Sequence, residues 1–514
     1  MFRKFRGSKY NRLIFTGLMI LFQLAVLFVW FFRLYSHYRY IPVMISVLAV
    51  IFILYIISKD DNPSMKLGWV MLILTFPFAG VPMYLFYGDQ KPSRAMYNRL
   101  LSSQLVNPQR IKQTPETMEA FSGLNSRAGS TGKYIYKNSG FPVYRNTQVK
   151  YYPLGENMYA DMLTALRSAK RYIFLEYFIL EDGKMWNSIL NILKEKASQG
   201  VEIKIIYDDF GSIAKQLPRH FDKHMEALHP NIKCLRFNPI RPLAIMSMNN
   251  RDHRKLMIID GEFGFTGGIN IADEYINSIS LYGHWKDTGI RLQGDAVRSM
   301  ILMFAEMWNA FRQDKIFEKE YIKPEGPYFE PYSDGFVQPF SDCPLDNEYL
   351  AKNIITDMIN QAKERIYIFT PYLIIDSDLR TSLSIAAKRG VDVRIVTPGI
   401  PDKKLVFRLT RANYRPLIDA GVKIYEYTPG FIHAKSISVD GNSAVVGTVN
   451  LDYRSMYFHF ECGVYLYDSK CVRALEDDCR DTFKKSHQIV HSDLKRGILG
   501  KTVDSILRAF ETLL

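Results

Sequence analysis

The sequence predicts an α/β protein: two pseudo-symmetric α/β domains with mixed sheets, preceded by N-terminal transmembrane helices. Three observations carry this reading. A ten-residue string occurs twice, strand–helix–strand patterns recur ahead of each copy, and three apolar runs lie before residue 88.

The repeated string is Arg251-Asp-His-Arg-Lys-Leu-Met-Ile-Ile-Asp260 and Phe431-Ile-His-Ala-Lys-Ser-Ile-Ser-Val-Asp440. Both copies read His-x-Lys-x-x-x-x-Asp, which picks out His253, Lys255 and Asp260, then His433, Lys435 and Asp440 as candidate catalytic residues. A glycine-bearing turn and an asparagine follow each: Gly267-Gly268-Ile-Asn270 and Gly447-Thr448-Val-Asn450. The β-branched residues after each His (Ile258, Ile259; Ile437, Val439) predict a buried strand. On a strand, positions i and i+2 share a face, so each His points the same way as its Lys. The Asp, at an odd offset, points elsewhere and reads as support for the pair. An imidazole beside a fixed ammonium suits a phosphoryl group: the Lys offsets oxyanion charge while the His attacks or moves a proton. A single such motif is usually a solvated strand edge. Two copies with the same downstream pattern argue for function.

The alternation of elements is also repeated. Met162 to Asp208 reads helix, strand (Tyr172–Phe178), amphipathic helix, strand (Gly200–Tyr207). Ile354 to Thr397 repeats it with Ala362–Phe369, a helix around Leu379–Lys388, and Gly390–Val396. Strands alternating with helices predict a largely parallel or mixed sheet in each half. The two His motifs are about 180 residues apart, so one site between two pseudo-symmetric halves is expected.

Residues 1–88 read as a membrane anchor, with apolar segments 13–32, 41–58 and 67–87. The first runs about 20 residues without a charge, about 30 Å as a helix and enough to span a bilayer. Five basic side chains before it place the N-terminus in the cytoplasm. The third run is broken by Pro77, Gly80 and Pro82, which fits a kinked or re-entrant segment. Basic residues follow it closely, and two crossings plus a re-entrant segment leave the catalytic region at the cytoplasmic face of the cell membrane. Residues 89–133, with Gly-Ser-Thr-Gly near position 130, read as a linker with one or two short helices. Domains over 134–320 and 321–490 follow, and 491–514 is an amphipathic helix read as packing on the domain surface.

The bulk numbers fit this plan. A chain of 514 residues, 47% hydrophobic and 23% charged, is long enough for two or three domains and a membrane segment. A net charge of +14 favours an anionic partner, and the apolar N-terminus selects an acidic lipid surface over nucleic acid. Five scattered cysteines without CxxC spacing suggest neither a disulfide framework nor a zinc site.

The duplicated motif resembles the phospholipase D superfamily. Over nearly the whole chain the sequence is similar to bacterial cardiolipin synthases, through Asn146–Tyr152, Glu176–Asp182, Tyr207–Ser212, His284–Asp287 and Asn450–Ser455. The resemblance implies two phospholipase D-like domains sharing one active site. It implies phosphatidyl transfer between two phosphatidylglycerol molecules, giving cardiolipin and glycerol, without cofactor or metal. By that resemblance His253 is the nucleophile and His433 the acid/base. Lys255, Lys435, Asn270 and Asn450 hold the phosphoryl oxygens, and Asp287 and Glu461 reach across to His433 and His253. Hydrolysis through the same intermediate, or transfer to another alcohol, uses the same residues.

Overall fold

The computed structural model describes residues 29, 40–88, 94–106, 111–213, 217–218, 220–240, 249–322, 335–346 and 348–512. Contacts within the chain divide it into two compact units. Residues 40–88 and 496–512 belong to one, and residues 94–239 and 250–495 to the other.

In the first unit the apolar runs form α1 (Tyr40–Ser58), α2 (Pro63–Thr75) and α3 (Pro77–Tyr87). Asn62 caps α2, its side chain accepting from the Ser64 N–H at 3.0 Å, with Pro63 in the first turn. The run 67–87 does not form one span. Pro77 lacks an N–H and drives the preceding residue out of the helical region, and Phe76 sits at φ −135°, ψ 72°. The two resulting helices rise only about 20 Å and about 16 Å against a hydrocarbon core of about 30 Å. The 19 residues of α1 rise about 28 Å, just short of that thickness. Among the described residues no helix is long and apolar enough to cross a membrane. The first apolar run, 13–32, lies outside the described residues apart from Val29. Ala49, Ile56, Trp69, Ile73, Val81 and Tyr84 make a small core between the three helices. The outer face of α1 leaves Val43, Met44, Val47 and Leu54 more than half exposed. The helix Ile498–Ala509 lies against α2, with Ile498 and Leu499 turned to the outside.

The second unit begins with α4 (Arg94–Val106), α5 (Pro115–Leu124) and α6 (Ser126–Ser139), where a linker is expected from composition. Met118, Phe121, Ala128 and Ile135 are buried, so α5 and α6 are part of the folded unit. The glycines that read as loop lie inside α6 at points of close approach. A Cβ on Gly129 would meet the Ser122 Cα at 2.6 Å, and one on Gly132 the Phe121 ring at 2.7 Å.

Two sheets follow. The first half contributes β1 (Thr147–Tyr152), β2 (Tyr172–Tyr177), β3 (Glu202–Asp208), β4 (Ile232–Phe237), β5 (Lys255–Ile259), β6 (Phe263–Gly267), β7 (His284–Lys286) and β8 (Gly289–Gly294). The second contributes β9 (Phe336–Asp342), β10 (Arg365–Phe369), β11 (Asp392–Pro398), β12 (Lys423–Tyr427), β13 (Gly430–Ile432), β14 (Ser436–Val439), β15 (Ser443–Gly447), β16 (Glu461–Tyr467) and β17 (Ser486–Gln488). The sheet orders are β1-β8-β6-β5-β2-β3-β4 and β17-β12-β11-β10-β14-β15-β16-β9. Read from β9, the second repeats the first. Parallel β2-β3-β4 matches β10-β11-β12, antiparallel β5, β6 and β8 match β14, β15 and β16, and β17 is an added edge. The two mixed α/β sheets expected from the repeat are present.

The halves share one core. It runs from Ile258 and Leu292 through Phe304 and Trp308 of α7 (Val297–Phe311) to Val446 and Val464. Most side chains of α7 are buried, the polar Ser299 and Asn309 among them, while Arg298 and Glu306 lie outside the buried set.

Asp260 and Asp440, expected among the catalytic residues, are not brought to the His and Lys of their motifs. Each follows its strand at the end opposite the Lys, in a left-handed turn (φ 54° and 53°). The Asp260 carboxylate accepts from the N–H groups of Lys170, Arg171 and Tyr172 at 2.7–2.8 Å. Asp440 does the same for Lys363, Glu364 and Arg365 at 2.8–3.0 Å. Each clamps the start of the neighbouring antiparallel strand, β2 or β10, which makes its role structural. Asp260→Ala should therefore cost stability, by about 2–3 kcal/mol for the lost charged hydrogen bonds. Its denaturation midpoint should fall while the turnover of the folded fraction stays near wild type.

Candidate active site

Both His motifs sit where a chain leaves one half and touches the other. His253 lies just before β5, and its backbone N–H donates to the Phe460 carbonyl at 2.9 Å. Phe460 returns the bond to Arg251 at 2.9 Å. In the other motif, β13 pairs in parallel with β7, and the His433 N–H donates to the Lys286 carbonyl at 2.7 Å. Each motif is thus stitched to the segment of the opposite half that carries a buried acid one residue further on.

Those acids meet the imidazoles. His253 Nδ1 lies 2.9 and 3.0 Å from the two Glu461 carboxylate oxygens, and His433 Nδ1 lies 2.7 Å from Asp287 Oδ2. Glu461 and Asp287 are fully buried, and the histidines are 6% and 7% exposed. An Nδ1–H donated to a carboxylate fixes the tautomer and leaves the Nε2 lone pair for chemistry. Lys435 Nζ also lies 2.7 Å from His433 Nδ1. Two donors cannot bond each other, and the anionic Asp287 is the stronger acceptor, so Lys435 instead donates to the His433 carbonyl. Lys255 donates likewise to the His253 carbonyl at 2.6 Å. Local sequence explains the packing: a Cβ at Gly268 would meet Asp287 Oδ1 at 2.0 Å, so only glycine fits there. At the matching position Thr448 donates its hydroxyl to Glu461.

The structure therefore brings His253, Lys255, Glu461, His433, Lys435 and Asp287 together. Asn270 and Asn450 are buried at the ends of the turns after β6 and β15. The Asn270 amide is tied at both ends, accepting from the Ile179 N–H at 3.1 Å and donating to the Tyr275 hydroxyl at 2.7 Å. Asn450 bonds Asp452, and its Oδ1 has no hydrogen-bond partner.

The electrostatics are those of a buried site built for an anion. Burial holds both imidazoles well below the usual histidine range, and the two lysines lower them further. Burial also pushes Lys255 down to about 8, against the pull of Glu461, and Lys435 down to about 7, against that of Asp287. Asp287 is pushed up to about 7, and Glu461 is raised well above the carboxylate range, again by burial. An arriving phosphodiester supplies the missing negative charge and makes ammonium and imidazole more basic. His253, His459 and Glu461 bring ligand atoms within 4.8 Å of one another and are a group among the described residues that could hold a metal. The neighbouring Lys255, Lys435, Arg251 and Arg454 make the same space favour an anion over a cation.

Several site residues were not singled out by motif. Beneath His253, Arg254 pairs with Glu176 and, at 3.2 Å, with Asp252. Asp208 accepts from the N–H groups of Phe210, Gly211 and Asp252 and lies 3.7 Å from Arg251. The signal was present as charged residues inside otherwise apolar strands, in Glu176-Tyr-Phe and Tyr207-Asp-Asp. Aromatic rings wall the imidazoles: Phe178 and His459 beside His253, Tyr275 and Trp285 beside His433. His284, by contrast, is satisfied by the Tyr427 hydroxyl at 3.0 Å.

These charges set an expectation for pH. Each ammonium loses its charge above its own pKa, so sulfate, a dianion throughout this range, should bind more weakly as pH rises through about 7 and then about 8. Titration calorimetry on wild type and Lys435→Ala should show the lower of the two steps missing in the variant.

Known proteins resemble the chain over most of its length. Residues 162–280 and 355–482 match the family model described as cardiolipin synthase, PLD-like domain. Residues 47–88 match the one described as phospholipase D-nuclease N-terminal. The chain is 32% identical over 475 residues to a cardiolipin synthase of Alkalihalophilus pseudofirmus, covering 92% of this chain and 93% of that one. It is 33% identical over 472 residues to cardiolipin synthase 2 of Bacillus anthracis, covering 89% and 88%. An uncharacterized protein of Streptococcus mutans is 40% identical over 465 residues, covering 90% and 99%. In fold, the crystal structure of a phosphatidylserine synthase from Haemophilus influenzae superposes with a TM-score of 0.57 at 15% identity, over 74% of this chain and 99% of that one. With two stitched His/Lys motifs and relatives matched almost end to end, the chain belongs to the cardiolipin synthase family of the phospholipase D superfamily.

Proposed function

We propose that this enzyme transfers a phosphatidyl group from one phosphatidylglycerol to a hydroxyl of another, giving cardiolipin and glycerol. The observation that carries the reading is the pair of buried imidazoles, one from each half, each with Nδ1 against a carboxylate of the other half. His253 Nε2 attacks phosphorus, and the P–O bond to glycerol breaks as His433 protonates the departing oxygen. His433 then takes the proton of the incoming hydroxyl, which attacks phosphorus and releases His253. Lys255 and Lys435, with Asn270 and Asn450, offset the charge on the non-bridging oxygens. Asp287 and Glu461 hold the tautomers and orient the rings. The reaction is reversible, since glycerol can re-enter by the same path.

Membrane attachment fits lipid substrates. The exposed apolar side chains of α1 and of Ile498 and Leu499 support placement of the first unit at the bilayer. The broken α2–α3 segment supports a re-entrant hairpin over a third crossing.

Purified enzyme in phosphatidylglycerol vesicles, without added metal, should form cardiolipin and glycerol in step. His433→Ala should form neither. Phosphatidic acid in place of cardiolipin would make water the acceptor and overturn the transferase reading. Asp287→Asn should lose about 10³–10⁴-fold in kcat, the size of effect seen when a buried acid no longer fixes a catalytic tautomer. An unchanged rate would remove Asp287 from the orienting role.

A further inference from the structure

The repeat is regular in its backbone and irregular at one position beside each catalytic imidazole. In the first half His284-Trp-Lys-Asp287 carries the acid; in the second, Phe458-His-Phe-Glu461 does. Two residues before the acid these place Trp285 in one half and His459 in the other. The two rings occupy matching places: Trp285 lies 5.5 Å from the His433 ring and His459 lies 5.6 Å from the His253 ring, centroid to centroid. The environment of Trp285 is aromatic, with Tyr275 at 4.8 Å and Phe431 at 4.7 Å.

His459 is different in kind. Its side chain is nine-tenths buried, and neither ring nitrogen has a hydrogen-bond partner. Its Nδ1 lies 3.9 Å from Glu461 Oε1, the same oxygen that meets His253 Nδ1. A buried imidazole without partners is costly, and such groups call for an explanation in a ligand. Four cations, Arg454, Arg251, Lys255 and Lys403, act on it against the single Glu461 carboxylate at 3.9 Å, a balance that favours an anion beside His459. A neutral imidazole has one N–H to give, and here it faces a space that attracts an anion.

We propose that His459 binds the phosphoryl group while it is attached to His253, donating its N–H to a non-bridging oxygen. The inference rests on the phosphohistidine reading above. No further bond is made or broken: the N–P bond forms at His253 as the P–O bond to glycerol breaks, the proton goes from His433 to glycerol, and His459 keeps its own. Trp285, in the equivalent place beside His433, also carries a buried N–H without a partner, but its ring is packed between Tyr275 and Phe431.

The test follows phosphoenzyme rather than product. The full chain in detergent micelles is mixed with phosphatidylglycerol labelled at phosphorus, quenched in alkali, and the label on protein measured with time. His459→Phe keeps a ring without the donor and should form phosphoenzyme about 100-fold more slowly, the effect of losing one oxyanion donor. His459→Gln keeps an N–H near the same place and should recover at least tenfold of that loss, which a purely structural role would not predict. If His459→Phe does not fold, as read by thermal melting, His459→Leu takes its place. Wild-type rates in the Phe or Leu variant, or equal losses in all variants, would overturn the proposal while leaving the phosphohistidine standing. No label on wild-type protein would overturn both.

Discussion

Each motif imidazole is held by a carboxylate that belongs to the other half of the molecule, and most of the architecture follows from that exchange. His253 comes from the first sheet and Glu461 from the second, while His433 comes from the second and Asp287 from the first. Neither half can complete a site alone. The exchange needs backbone as well as side chains, and the reciprocal bonds between Asp252–His253 and Phe460, and between β13 and β7, set the acids at the right depth. It also needs a rigid joint. The shared core around α7 supplies it, together with the buried Lys286, which bonds Asp478 of the second half at 2.7 Å. Loss of either half would remove a carboxylate from the other's histidine.

Burial of so many ionisable groups is unfavourable unless something compensates for it, and a buried pair is weak evidence for stability as such. The layer beneath the site shows the compensation. Arg254 lies between Glu176 and Asp252, and Asp208 is met by three backbone N–H groups with Arg251 beside it. The layer that faces the ligand is not compensated in the same way. There, burial pushes both lysines and both histidines toward their neutral forms. The difference between the two layers is the difference between scaffold and binding site: only the inner face waits for an external charge.

Most of this was legible in the sequence because it repeats. A duplicated motif in a duplicated strand–helix pattern specifies two equivalent sheets and leaves the interface as the one place where both motifs meet. What was not legible has physical causes. The Asp of each motif reads as support for the His and Lys, yet what it supports is the start of the adjoining strand, β2 or β10, which spacing alone does not reveal. Gly129-Ser-Thr-Gly132 reads as a linker because composition cannot tell a glycine that frees the backbone from one that makes room for a neighbour. The break in the apolar run 67–87, by contrast, was legible at Pro77, which acts through φ and ψ. His459 reads as a packing residue because a lone histidine on an aromatic stretch usually is one, and its missing partners are visible only in three dimensions.

The departures from symmetry concern the same few positions. Asp287 and Glu461 differ by one methylene, and the backbone answers with Gly268 against the shorter acid and Thr448 against the longer one. Trp285 and His459 differ in polarity beside the two reacting rings. A perfectly symmetric site would present two equivalent imidazoles and could form the covalent intermediate on either. The proposed reaction needs one ring to hold phosphorus and the other to move protons, and it needs that division at every turnover. On the proposed reading, side-chain asymmetry on a symmetric backbone is where that division would be built, leaving the exchange of carboxylates intact.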